Sequence, residues 1–340
     1  MNPVFVILFL AGFIALPGCQ SQNSETELTG SIQGTTYHIK IVQDQRSVDI
    51  EQLRKLVEET FNNIDVKLSN YRDDSEISRL NQQQTSDWLT VSAEIAELVD
   101  IAKQVYQRSQ GCYDLTVKPI FDLWGFSKHE NRVPTQEEIN NVLLHVGMPR
   151  VEIDRANSRI RKLDPEIKID LSSIAQGYTV TATAKLLESQ GIQNYLVEIG
   201  GEMKVKGHNA KGNPWRVAIE KPSPFSREVQ RILDIHQTNG TAIMTAGTYR
   251  NFFAEQGHTY SHILNPKTGS PVTHHLLSVT VLHDDPTWAD AWDTALLCVG
   301  ETEAAKIAET EHLKVLLIYQ EGQTLKEHMS SAFVTAQKKK

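Results

Sequence analysis

Cysteine is scarce in this 340-residue sequence, with three in all and none in a Cys-x-x-Cys pair. His-Glu-x-x-His spacing is absent too, so a disulfide framework and the familiar zinc sites are excluded. A basic excess is missing: 34 Lys and Arg stand against 42 Asp and Glu, a net charge of −8. Such a surface lacks the positive charge that displaces counterions from nucleic acid, and no nucleic-acid partner is expected. No G-x-G-x-x-G loop occurs, and the Walker-like pair Gly207 and Gly212 is followed by Asn213 where the lysine belongs. No apolar run reaches the ~20 residues of a bilayer-spanning helix. What remains is ordinary globular material, 40% hydrophobic and 22% charged, sufficient for a sizeable core. The length suits two domains of ~150 residues or one large unit.

The apolar residues are unevenly placed. Val4 to Leu16 is a continuous apolar stretch without a charge from Met1 to Gly18, the length of a signal-peptide apolar region. It leads into Leu16-Pro17-Gly18-Cys19, which resembles a bacterial lipoprotein signal in which Cys19 is lipidated and becomes the mature N-terminus. The competing reading is an ordinary secretory signal with a chance cysteine; the usual Lys or Arg before the run is absent. Residues 1–18 carry no charge, so the −8 belongs entirely to the mature chain. Acyl chains on Cys19 would hold the protein at a membrane surface without a spanning helix. Cys112 and Cys298 are expected as two separate buried thiols, although an oxidising compartment permits a bond between them.

Hydrophobic spacing predicts helices over 50–68 and 93–108, where apolar residues recur every three or four positions. Between them, 70–87 reads as a polar loop. Further helices are expected over 135–144, 173–190, 287–299 and 301–310. A strand pair around Gly34, short strands at 151, 158 and 167, strands over 194–199, 202–207, 215–220, 228–236 and 277–283, and a hairpin over 313–326 complete the reading. Without regular βαβ alternation, the expected fold is α+β with mixed, largely antiparallel sheets and packed helices. The C-terminal lysines read as a solvated tail.

Three segments can carry chemistry. On a helix, Asp290, Asp293 and Thr294 share one face, and two carboxylates with a hydroxyl suit Mg²⁺ or Ca²⁺. The plainer reading is acidic residues complementing the helix dipole. In Asp170-Leu171-Ser172-Ser173, a strand turns into a helix whose free N–H groups would seat a phosphate. Asp170 would repel that phosphate unless it binds a cation or a donor group, or simply caps the helix. In Ser261-His262-Ile263-Leu264-Asn265-Pro266, His262 ends a strand beside a rigid turn, a setting for a general base.

These segments occur in order with others: Gly34-Thr35-Thr36-Tyr37, Leu68-Ser69-Asn70-Tyr71, Gly111-Cys112-Tyr113-Asp114-Leu115-Thr116, Leu123-Trp124-Gly125-Phe126, Glu198-Ile199-Gly200-Gly201-Glu202, and Thr245-Ala246-Gly247-Thr248-Tyr249-Arg250-Asn251. Together they resemble the FAD:protein FMN transferases, the ApbE family, over nearly the whole mature chain. The resemblance implies that FAD is split at its pyrophosphate and FMN is joined to a threonine hydroxyl of a target protein, with AMP leaving. It implies Mg²⁺ held by Ser173, Asp290, Asp293 and Thr294, His262 as catalytic base, and a flavin-nucleotide site of Gln33, Tyr71, Cys112, Tyr113, Asp114, Asp170, Gln176 and Leu264. Gln33, Gln176, Ala246 and Asn265 depart from the commoner family residues, and Gln176 removes a charge near the phosphates.

The implied acceptors are flavin-carrying subunits of sodium-pumping NADH:quinone reductase and Rnf-type redox complexes. That places the protein on the periplasmic side of the membrane, anchored through Cys19, with the inner membrane favoured by those partners. The expected organisation is a signal over 1–18, a tether over 19–28 and one catalytic unit of two lobes over 29–335. Two alternatives belong to other classes: a hydrolase cutting FAD to FMN and AMP, and a non-catalytic flavin-binding lipoprotein, which would need neither Asp293 nor His262.

Overall fold

The computed structural model describes residues 24–43, 48–127, 130–224, 228–237 and 239–338. The proposed signal and Cys19 lie outside them. Among the described residues, eight strands form one antiparallel sheet: Ser24–Ile32, Thr35–Gln43, Tyr195–Ile199, Glu202–Lys206, Thr241–Gly247, Leu276–His283, Lys314–Glu321 and Thr324–Met329. Their order in the sheet is their order in the chain, so the sheet is a meander, with long insertions between several of its strands.

The helices are α1 (Ile50–Leu68), α2 (Glu76–Gln82), α3 (Ala93–Arg108), α4 (Lys118–Leu123), α5 (Gln136–Leu143), α6 (Ala175–Ser189), α7 (Pro286–Val299), α8 (Glu301–Thr310) and α9 (Ser331–Lys338). The main core joins one face of the sheet to α1, α3, α6 and α7. Alternation along the strands fills two cores at once: Val315 and Leu317 enter the main core, while Leu316 and Ile318 enter a second one. That second core is covered by the Trp215–Glu220 and Val229–Ile235 hairpin and by Phe333 of α9. A third cluster, around Trp124 and Phe126, packs α4 and α5 against the Phe252–Glu255 and His258–Ser261 hairpin.

The α+β architecture is as the sequence implies, and α1 and α3 occupy their predicted spans. Several local readings are corrected. Within the expected 19–28 tether, Ser24 to Leu28 belong to the first strand: they pair with Gln43 to Ile39, and Leu28 is fully buried. The polar loop at 70–87 contains α2, capped by Ser75 and anchored by Ile77 and Leu80. Residues 167–170 form no ladder; instead the Asn81 side chain holds both main-chain groups of Ile169. The Thr241–Gly247 strand and α9 add elements the sequence reading lacked.

Candidate active site

α7 starts sharply because Pro286 follows Asp285, whose side chain accepts hydrogen bonds from the Thr287 and Trp288 amides. One turn later its buried face presents Asp290 and Asp293, and the strand opening at Glu202 brings a third carboxylate opposite. Glu202, Asp290 and Asp293 each place an oxygen within 4.8 Å of the others. Glu202 Oε2 accepts from the Thr245 amide at 3.1 Å, and Asp290 Oδ2 from the Gly177 amide at 2.7 Å. Thr294 Oγ1 donates to Asp293 Oδ1 at 3.3 Å, whereas Asp293 Oδ2 is buried without a partner. Burial raises all three acids: Asp290 to about 7, Glu202 and Asp293 well above the carboxylate range with mutual repulsion adding to it. Crowded, desolvated hard oxygens with one lone pair set left over fit a hard divalent cation.

The cluster opens into a cavity of about 350 Å³. One wall is the turn before α6. The Asp170 carboxylate accepts from the Ser172 amide at 2.8 Å, and from Ser172 Oγ and Asn70 Nδ2. It therefore braces the turn and does not cap the helix, whose N-cap is Ile174. Ser173 faces the acidic cluster across Tyr113, whose hydroxyl donates to the Ser173 carbonyl at 3.2 Å. Gln176 donates to the Ile199 carbonyl at 2.7 Å. It passes so close to Gly200, at φ +60°, that a Cβ there would sit 2.1 Å from its Nε2.

The opposite wall carries His262. Its Nδ1 lies 2.8 Å from the Asn251 carbonyl, and since a carbonyl only accepts, Nδ1 bears the proton and Nε2 is left as acceptor. Burial holds the imidazole below its ordinary pKa. The Leu123-Trp124-Gly125-Phe126 motif secures this wall: Trp124 Nε1 donates to the Gly269 carbonyl at 2.8 Å, and the Phe126 ring meets the imidazole edge-on at 6.5 Å.

Thus Ser173, Asp290, Asp293, Thr294, His262, Tyr71, Cys112, Tyr113, Asp114, Asp170, Gln176 and Leu264 line one cavity. Gln33 does not; it sits in the first hairpin turn and donates to Thr179 of α6. Tyr71 stands at the rim, 74% exposed, shared with Asp170 and Phe121 between this cavity and a neighbouring one of about 630 Å³. The Asp114 carboxylate is spent on the Thr116 and Met148 amides, at 2.7 and 2.8 Å, and shapes the wall. Cys112 and Cys298 are not separate thiols but a disulfide, Cα–Cα 5.9 Å. The packing of α3 against α7 brings the turn after α3 to the last turn of α7, a meeting that a sequence separation of 186 conceals. Glu202 and Arg250 were missed as lining residues. The available signal was an acid directly after Gly200-Gly201, and an arginine twelve residues before His262.

A family model described as the ApbE family matches residues 33–317. The FAD:protein FMN transferase of Vibrio cholerae is 39% identical over 329 residues, spanning 96% of this chain and 97% of the relative. That of Haemophilus influenzae is 36% identical over 334 residues, spanning 96% of each. The solved structure of the flavin transferase ApbE from Vibrio cholerae superposes with a TM-score of 0.84 at 38% identity, covering 92% of this chain and 99% of that one.

Proposed function

The chain belongs to the ApbE family, and on that premise we propose that this transferase, with FAD as donor, joins FMN through its phosphate to a threonine hydroxyl of an acceptor protein and releases AMP. One observation carries the reading: a base with its Nδ1 proton committed and a buried carboxylate cluster with an unpartnered oxygen converge on one cavity. Phosphoryl transfer needs an aligned nucleophile, charge compensation and a destination for the proton, with little covalent work from the protein.

In the proposed step the threonine oxygen bonds to the FMN phosphorus while the bond from that phosphorus to the bridging oxygen breaks. The bridging oxygen leaves with its electron pair as part of AMP, and the threonine proton passes to His262 Nε2. Asp290, Asp293 and Thr294, with an oxygen of Ser173 and with Glu202, would hold Mg²⁺, which when bound supplies positive charge to the non-bridging phosphate oxygens. Asp170, held rigid by Ser172 and Asn70, offers a carboxylate edge to donor groups of the nucleotide, while Tyr71 offers a ring face at the rim. Gln33 acts from outside the cavity, steadying α6 through Thr179.

The acceptors under this reading are flavin-carrying subunits of sodium-pumping NADH:quinone reductase or Rnf-type complexes. The protein would meet them from the periplasmic face of the inner membrane, anchored by lipid on Cys19. A test combines the soluble protein with FAD, Mg²⁺ and a threonine-bearing acceptor subunit, then reads the acceptor's intact mass and free AMP. An FMN mass gain matched by AMP is expected. AMP without mass gain identifies an FAD hydrolase, and neither product overturns the enzymatic reading.

A further inference from the structure

The cavity is poor in positive charge for a site that handles a pyrophosphate. Asp114, Asp170, Glu202, Asp290 and Asp293 line it, and Arg250 is its only Lys or Arg among the described residues. Three carboxylates around one divalent cation leave a negative remainder, so a second source of positive charge is needed opposite the dianionic pyrophosphate. Arg250 stands where it can serve. It follows the Thr241–Gly247 strand that supplies the Thr245 amide to Glu202, and it precedes Asn251, whose carbonyl fixes His262. Its charge and that of Glu202 act on one another. Its Nη2 is held by Glu220 at 2.6 Å, and the Tyr249 ring lies 5.7 Å from the guanidinium carbon. A guanidinium has five donors, so this anchoring leaves others for a ligand while fixing the fork.

We propose that Arg250 is a catalytic residue that pairs through its guanidinium with the pyrophosphate oxygens of FAD and stabilises the charge that gathers on the departing AMP phosphate. The proposal rests on the FMN-transfer reading above. A planar fork is suited to two phosphate oxygens at once and retains its charge throughout turnover. Arginines in such roles contribute about 10³–10⁵ in rate.

The test uses the full chain with saturating Mg²⁺ and FAD, measuring AMP release, FAD affinity and thermal melting for wild type, Arg250→Ala and Arg250→Lys. For Arg250→Ala, kcat is expected to fall by about 10³-fold, FAD affinity by less than about tenfold, and added guanidinium chloride at millimolar levels to restore part of the rate. Absence of any one of these three results overturns the proposal. Should Arg250→Ala lose its melting transition, Arg250→Lys decides: a point charge without the fork is expected to keep about one hundredth of kcat, and a value within threefold of wild type overturns the role. A wild-type protein that releases no AMP would instead remove the reading on which the proposal rests.

Discussion

Burial acts on His262 and on the acidic cluster in opposite directions, because desolvation penalises whichever protonation state is charged. For His262 it favours the neutral ring. The acid limb of kcat/KM for transfer is therefore expected below pH ~6.5, and it should vanish in His262→Ala. That variant is expected to keep FAD binding within a few-fold while losing about 10²–10⁴ in transfer; isothermal titration and AMP release measure the two separately. For Asp290, Asp293 and Glu202 burial favours the protonated form. Their folded pKa values lie above the unfolded ones, so the stability they give the metal-free protein is complete below about pH 4 and is lost as pH rises toward 7. Chelated protein is thus expected to melt at lower temperature at pH 7.5 than at pH 5.5, with Mg²⁺ restoring more at the higher pH. Thermal melts at both pH values, with and without Mg²⁺, check this. His262, Asp290 and Asp293, which line one cavity, were legible as residue types in suggestive local settings, but Glu202 was not. Its chemistry depends on facing α7 from a strand 88 positions away from Asp290, and spacing along one element cannot reveal that.

Elements meet at the site through backbone contacts that only small residues permit. A Cβ on Gly177 of α6 would lie 2.6 Å from both the Pro286 carbonyl oxygen and Asp290 Cβ of α7. Gly177→Ala is expected to push α6 from α7, costing about 1–3 kcal/mol and weakening Mg²⁺ binding together with the lost amide bond to Asp290. Calorimetric unfolding and Mg²⁺ titration of the same preparation measure both effects. The amphipathic helices could be read directly, since one buried face repeats every three or four residues in α1 and α3. The Thr241–Gly247 strand could not. Ala242 and Met244 enter one core and Ile243 the other, so both faces are buried and the period-two signal disappears. α2 escaped for the opposite reason: seven residues with two apolar anchors are too short to show a period.

Across the whole molecule, connections inserted into one antiparallel meander converge at a single cavity. The segment between the second and third strands carries α1 to α6 and the Asp170 turn, later ones bring the His262 loop and α7, and the Glu202 strand completes the ring. The Cys112–Cys298 bond ties the first of these insertions to the last across 186 positions. Removing it, by dithiothreitol or by joint Cys112→Ser and Cys298→Ser substitution, is expected to cost about 2–4 kcal/mol of stability, read as a lowered melting temperature that dithiothreitol no longer changes in the double variant. Sequence by itself determined the α+β class, the net charge of −8, the amphipathic helices, and the ordered motifs that mark the family, because composition and short-range periodicity are properties of neighbours along the chain. Tertiary structure alone decided that Cys112 and Cys298 are bonded, that Glu202 and Arg250 share the cavity, that Gln33 stands outside it, and that Ser24 to Leu28 belong to the first strand. Each of these is a contact between segments far apart in sequence, fixed by which faces the meander and its helices bury together.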